Sequence, residues 1–233
     1  MDVVIESLNG APRSIHVTAP LVVIAGFTGR TASAVREHIR ELDELGVPLP
    51  VQTPTFFTVP NWTLTQARDG IDVATDSASG EAEPVLVAMP DGRCYLMVGS
   101  DHTDRELERS SIELAKLTQP KVIGRTAWPL EEVEADWDQL LLRSWIGDDA
   151  ELYQEDRLEA LARPLDLLEQ IRGRLGPPRD RPVAAFLGTV PLRQGSFRFD
   201  RAFTAAIEDE ARGRRLVCSY SVDPIGAARL AEA

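Results

Sequence analysis

The sequence predicts an α+β domain, mainly β, and three observations carry that expectation. Most apolar residues fall in short runs closed by Gly, Pro, Asn or Asp, the pattern of strands and turns. Only two or three stretches carry the 3.6-residue periodicity of a helix. Neither an internal repeat nor a linker divides the 233 residues. One domain over 1–233 is therefore expected, with residues 1–18 as an N-terminal hairpin extension.

Taken in order, residues 2–8 and 14–17 alternate as a hairpin would, and LVVIAGF (21–27) reads as a buried strand. Thr31 to Leu45 reads as a helix: Ala34, Val35, Ile39, Leu42 and Leu45 form one stripe, and Gly46 and Pro48 stop it. Four prolines over 47–62 predict extended loop with at most short strands. Strand-like alternation follows over 63–76. PVLVAM (84–89), a turn at Asp91-Gly92 and RCYLMVGSD (93–101) predict a hairpin. Asp104 to Leu117 reads as a helix, and 126–148 as short strands and turns. Glu155 to Leu175 alternates charge with leucine and predicts an exposed amphipathic helix, broken or kinked at Pro164. GPPRDRP (176–182) is a turn, VAAFLGTV (183–190) a strand, and 201–222 two strands joined around Arg212-Gly213.

Composition narrows the function. The formal charge of −12 disfavours nucleic acid and anionic membranes as partners. No apolar run approaches the roughly 20 residues of a spanning helix, and the acidic start MDVVIESLNG is not a secretory signal. Cytoplasmic residence is the expectation. Cys94 and Cys218 lack ligand spacing and are expected as buried free thiols. Arginine supplies almost all the basic residues; the only lysines are Lys116 and Lys121, six positions apart by inclusive count. That clustering suggests a local need for ammonium groups.

The chemistry concentrates in two acidic segments. In GEAEPVLV (80–87) an extended backbone puts Glu81 and Glu83 on one face, about 7 Å apart, where a divalent cation would offset their repulsion. A hairpin turning at Asp91-Gly92 would bring Asp101 beside them. Oxygen ligands alone suit Mg²⁺, Mn²⁺ or Ca²⁺. The alternatives are unpaired glutamates on a solvent face, and Asp101 or Thr103 acting only as the cap of the helix near Asp104. The density of polar groups in SDHTDRELE (100–108), directly after an apolar run, favours function.

These segments resemble the fumarylacetoacetate hydrolase superfamily. Its E-x-E-L-A-x-V-I-G strand is similar to GEAEPVLV, and its N-D-x-S-A-R-D-x-Q motif is similar to residues 100–108. A lysine in a K-x-F-D-x-x-x-P context resembles Lys116 before Leu117-Thr118-Gln119-Pro120, and a T-G-T-P turn resembles Leu187-Gly188-Thr189-Val190-Pro191. The resemblance implies a mixed β-roll with a few flanking helices, a divalent metal on Glu81, Glu83 and Asp101, and a homodimer. It implies substrate contacts from Arg105, Glu108, Lys116, Gln119 and Thr189, and catalytic roles for Arg105 and Lys116. His38 or His102 would be the acid or base. The implied substrate is a small 2-oxo acid or β-dicarbonyl, transformed through a metal-stabilised enolate. C–C cleavage by a hydrolase or lyase is the first reading; the alternatives are hydration, decarboxylation, isomerisation, or a non-catalytic metal-binding domain. The chain departs from the pattern at Ser100, His102 and Glu108, where the superfamily has asparagine, an apolar residue and glutamine. Glu108 cannot donate the amide hydrogen bond that glutamine would. The short gap between the acidic motifs and the HTDRELE wording also resemble an uncharacterised branch of similar length.

Overall fold

Residues 1–44, 46–67, 70–176 and 180–225 are described by the computed structural model. Among these residues the long sheet has ten strands. Its path is Arg13–His16, Asp2–Ile5, Thr126–Pro129, Cys94–Asp101, Ala82–Ala88, Val183–Phe186, Leu21–Gly26 and Thr55–Val59. Lys121–Ile123 joins beside Cys94–Asp101 and pairs in turn with Leu64–Gln66. A second sheet holds Glu151–Arg157, Leu141–Ile146, Ala202–Asp209, Arg214–Pro224 and Gly70–Val73 in that order. A small antiparallel pair links Ala78–Ser79 to Thr103–Asp104. The mainly β expectation holds. No helix among the described residues is long and apolar enough to cross a membrane.

The central hairpin explains why the site is where it is. In Ala82–Ala88 every residue is buried, because both faces of the strand are covered. Ala82, Leu86 and Ala88 pack into the core between the two sheets, with Leu96 and Val98 opposite. Val85 and Val87, with Tyr95 and Met97, pack on the other face. Side chains alternate, so Glu83 shares the face of Val85, and Asp101 shares the face of Met97. Ser100 and His102 belong to the opposite face. Pairing puts Glu83 across from Gly99 and Ala82 across from Ser100.

Several elements differ from the sequence reading. The 104–117 helix is two pieces, Arg105–Glu108 and Ile112–Leu117, because Ser111 starts a new helix by accepting from Leu114 N at 3.2 Å. Residues 155–157 end the strand Glu151–Arg157 rather than start a helix; its alternation fits the pleat opposite Leu141–Ile146. The helix there is only Pro164–Leu175, and Pro164 begins it. At that position the missing N–H has no partner to lose. Residues 63–76 split into Leu64–Gln66 and Gly70–Val73, which serve different sheets. Thr55–Val59 forms a full edge strand within the proline-rich stretch. The hairpins at the N-terminus, at 82–101 and at 202–224 match, as does the helix Ala32–Glu44. Leu45 and residues 177–179 of the expected 176–182 turn lie outside the described residues.

Candidate metal centre

Glu81, Glu83 and Asp101 converge, each offering a carboxylate oxygen within 4.8 Å of the others. The solvent-face reading fails: Glu83 is 2% exposed, Asp101 is fully buried, and the Glu81 side chain is 15% exposed. Backbone pairing holds them together, because Asp101 N donates to Glu81 O at 3.0 Å. The capping alternative fails as well. Asp104 caps the helix through Oδ1, which accepts from Glu106 N and Leu107 N, so Asp101 is left to the site.

Three cations surround the carboxylates. Lys116 Nζ lies 2.5 Å from Asp101 Oδ2 and 3.3 Å from Glu81 Oε2. Lys121 Nζ lies 2.6 Å from Asp101 Oδ1. Arg105 reaches Glu81 Oε1 at 3.2 Å and Glu108 Oε2 at 2.9 Å, donates to Ser79 Oγ at 2.7 Å, and stacks on Phe197. The departure at Glu108 thus has a local reason: its carboxylate anchors the buried guanidinium.

Burial opposes the Asp101 charge, but Lys116 and Lys121 outweigh it and lower the carboxyl to about 2. Burial likewise opposes the Lys116 and Arg105 charges, and their carboxylate neighbours overcome it and raise both groups. Burial pulls Lys121 below the lysine range against the attraction of Asp101. Glu83 stands apart. Burial, and then the Asp101 charge, push its carboxyl well above the usual range. Its described hydrogen bond is from Gly188 N at 2.8 Å. That donor comes from a tight turn: Gly188 has φ +98°, and a Cβ there would sit 1.9 Å from Thr28 Oγ1.

The residues fit a hard divalent cation. Three oxygen donors converge, and Glu83 is a buried carboxylate without a described ion pair, which is what a cation would correct. Two cavities lie near the site without being lined by the triad. One, of about 380 Å³, lies between Phe27, the loop at Pro48–Gln52 and the start of the helix that carries Lys116. The other, of about 330 Å³, lies beside Asp76, Phe199 and Arg201.

The other expected residues are placed as follows. Thr189 Oγ1 donates to Ala82 O at 2.8 Å and accepts from Gln154 Nε2 at 2.7 Å, so it ties the turn to the strand. Gln119 is buried, and its Oε1 accepts from Ala74 N at 3.4 Å. His38 is on the Ala32–Glu44 helix, but its side chain lies outside the described residues. His102 turns away from the carboxylates. Its ring packs edge-on against Tyr220 and Phe203 between the sheets, with neither nitrogen hydrogen-bonded among the described residues. Burial, with Lys121 and Arg105 nearby, lowers it to about 3, so it is neutral at ordinary pH. His102→Leu is expected to change unfolding free energy by less than about 1 kcal/mol and to leave metal affinity unchanged. A denaturant melt and a metal titration check this; lost metal binding in a folded variant would return His102 to the site.

Sequence reasoning left Lys121, Ser79 and the Gly188 N–H without roles. The lysine pairing was a signal for the first. The other two depend on contacts across the fold and leave no local pattern.

The fold is similar to that of several solved enzymes, in agreement with the mixed β-roll expected from the sequence. By sequence the chain belongs to the family described as "Protein of unknown function (DUF2848)", which matches residues 25–220. No curated protein matches the sequence. Among solved structures, 5-carboxymethyl-2-hydroxymuconate delta-isomerase from Mycobacterium smegmatis aligns at 18% identity and TM-score 0.61, covering 92% of this chain and 86% of that one. 2-Hydroxyhepta-2,4-diene-1,7-dioate isomerase from Mycobacterium marinum aligns at 16% identity and TM-score 0.62, covering 93% and 84%. 2-Keto-3-deoxy-D-arabinonate dehydratase aligns at 17% identity and TM-score 0.62, covering 92% and 77%. At these identities the likeness concerns the fold.

Proposed function

We propose that this chain is a divalent-metal-dependent enzyme that enolises a small anionic 2-oxo acid or β-dicarbonyl. The observation that carries the reading is the convergence of Glu81, Glu83 and Asp101, with Glu83 buried and lacking a described ion pair. These three would hold Mg²⁺ or Mn²⁺. The cation would polarise the substrate's adjacent oxygens and so lower the cost of enolate charge. Arg105 and Lys116 would steady that charge from the side. Both are held by carboxylates, so a substrate meets them oriented. The apolar cavity at Phe27 and Pro48–Gln52 suits the rest of the substrate. Phe27 precedes Thr28, which donates to Leu187 O and abuts the turn that supplies Gly188 N to Glu83.

Isomerisation or dehydration is the preferred outcome, with hydrolytic C–C cleavage second. Cleavage by water calls for a general base with a pKa near neutrality. Of the described histidine side chains, His102 is buried and neutral and His16 pairs with Asp2 at the surface, so neither supplies one. The activities named for the structural neighbours, two isomerases and a dehydratase, agree with this order.

The test is deuterium exchange from D₂O into the carbon next to the keto group of an acylpyruvate, followed by NMR. Exchange is expected with Mg²⁺ or Mn²⁺, and is expected to vanish with EDTA and in Glu83→Ala. Metal-independent exchange, or full exchange in Glu83→Ala, overturns the proposal. Product analysis in the same tube separates isomerisation from cleavage.

A further inference from the structure

We propose that Lys121 is a positioning residue that sets the charge of the metal centre, loosening its hold on the cation and leaving surplus positive charge for an anionic substrate. The inference rests on reading Glu81, Glu83 and Asp101 as that centre. The chain's only two lysines converge on one carboxylate, Lys116 on Oδ2 and Lys121 on Oδ1 of Asp101. Lys116 is shared with Glu81, whereas the described ion pair of Lys121 is with Asp101, so Lys121 places its charge on this one carboxylate.

The geometry of Lys121 is fixed from the backbone outward. The strand Lys121–Ile123 pairs with Cys94–Asp101 so that Lys121 stands directly opposite Asp101. Ile123 packs with Met97 on the Asp101 side of the sheet, and alternation brings Lys121 to the same face. The side chain is fully buried, and its ammonium also donates to His102 O at 2.6 Å. A compact ammonium fits beneath a single carboxylate oxygen where the planar guanidinium used elsewhere in this chain would not. Anchored to backbone and side chain together, it fixes the Asp101 carboxylate from the strand side. Lys121 is itself out of a substrate's reach.

The charges then decide its effect. Glu81, Glu83, Asp101 and Glu108 face Arg105, Lys116 and Lys121. With these groups ionised, a divalent cation leaves the site with one surplus positive charge. Without Lys121 the loaded site is neutral. Across a few ångströms of buried protein, a unit charge changes ion affinity by more than the loss of one hydrogen bond does. Removing Lys121 therefore tightens the cation and weakens attraction for a monocarboxylate.

The experiment titrates the full-length wild type, Lys121→Met and Lys121→Gln with Mn²⁺, reading free Mn²⁺ by EPR. The Mn²⁺-loaded proteins are then titrated with pyruvate as the anionic probe. Both variants are expected to bind Mn²⁺ at least tenfold tighter than wild type, and pyruvate several-fold more weakly. Glutamine keeps a hydrogen-bond donor without the charge. Tightening in both variants supports the charge role, whereas Gln matching wild type with Met weakened overturns it. Unchanged or weaker Mn²⁺ binding in both variants also overturns it and leaves the metal centre standing. Unchanged pyruvate affinity overturns the substrate half. Binding in the variants but not in wild type supports the proposal, and binding in none overturns the metal centre and the proposal together. If both variants fail to fold, ¹⁵Nζ spectra of wild type decide, since the chain has only two lysines to resolve. A Lys121 signal that is not an ammonium, or that Mg²⁺ does not move, overturns the proposal.

Discussion

Asp101→Asn is expected to destabilise the protein by about 3–5 kcal/mol, the cost of stranding buried cations after their shared partner is removed. For a domain of this size that lowers the melting temperature by on the order of 10 °C. The reason is local. Both carboxylate oxygens of Asp101 are occupied by ammonium groups, and Asp101 is the partner in the described ion pair of Lys121. Asparagine offers one weaker acceptor and turns an N–H₂ donor toward the other ammonium. The pH dependence carries the same signature with a definite sign. The folded Asp101 carboxyl is lowered to about 2 from 3.8, so its contribution is fully present above pH 3.8 and lost as pH falls toward 2. Asn should flatten that acid limb. Urea melts between pH 2 and 7 measure both effects. The double variant Asp101→Asn/Lys121→Met should lose less than the sum of the single changes, because it strands one cation fewer. A single variant as stable as wild type would mean that the lysines are not held as ions.

The triad was legible because it is written in local pattern. An E-x-E pair on a strand, a tight turn and an aspartate at the far end of the returning strand are short-range facts, and pairing rules carry them into space. The helix 104–117 was misread for a related reason. Leu107, Leu114 and Leu117 keep helical spacing, yet Ser111 restarts the helix, and a cap inside a periodic run is easily passed over. The stretch 155–163 misled because charged residues alternating with leucine suit an exposed helix as well as a half-buried strand. Only pairing with Leu141–Ile146 decides between them. Register explains His102. One position from Asp101 on a strand is the opposite face, so adjacency in sequence meant separation across the sheet. Non-local contacts, such as Gly188 N on Glu83 across 105 residues, leave no trace in a single sequence.

Glu83→Gln is expected to act in opposite directions with and without metal. In EDTA, wild type buries a carboxylate whose proton is held well above the usual range. A raised folded-state value means that folding favours the protonated form. Wild-type stability therefore falls as pH rises above the ordinary glutamate range, and goes on falling until Glu83 ionises in the folded protein. Glutamine does not titrate and still accepts from Gly188 N, so the metal-free variant should equal wild type at pH 4.5 and exceed it increasingly above. Metal reverses the order. A cation present at about one hundred times its dissociation constant stabilises wild type by about 2.7 kcal/mol, and should do little for a variant missing one anionic ligand. Thermal melts of both proteins at pH 5 and pH 8, in EDTA and in Mg²⁺, give the comparison. If Mg²⁺ stabilised both proteins equally, Glu83 would not be a ligand. If the variant were the less stable protein in EDTA at pH 8, the buried carboxylate would already be balanced within the chain, and the case for a cation would fall with it.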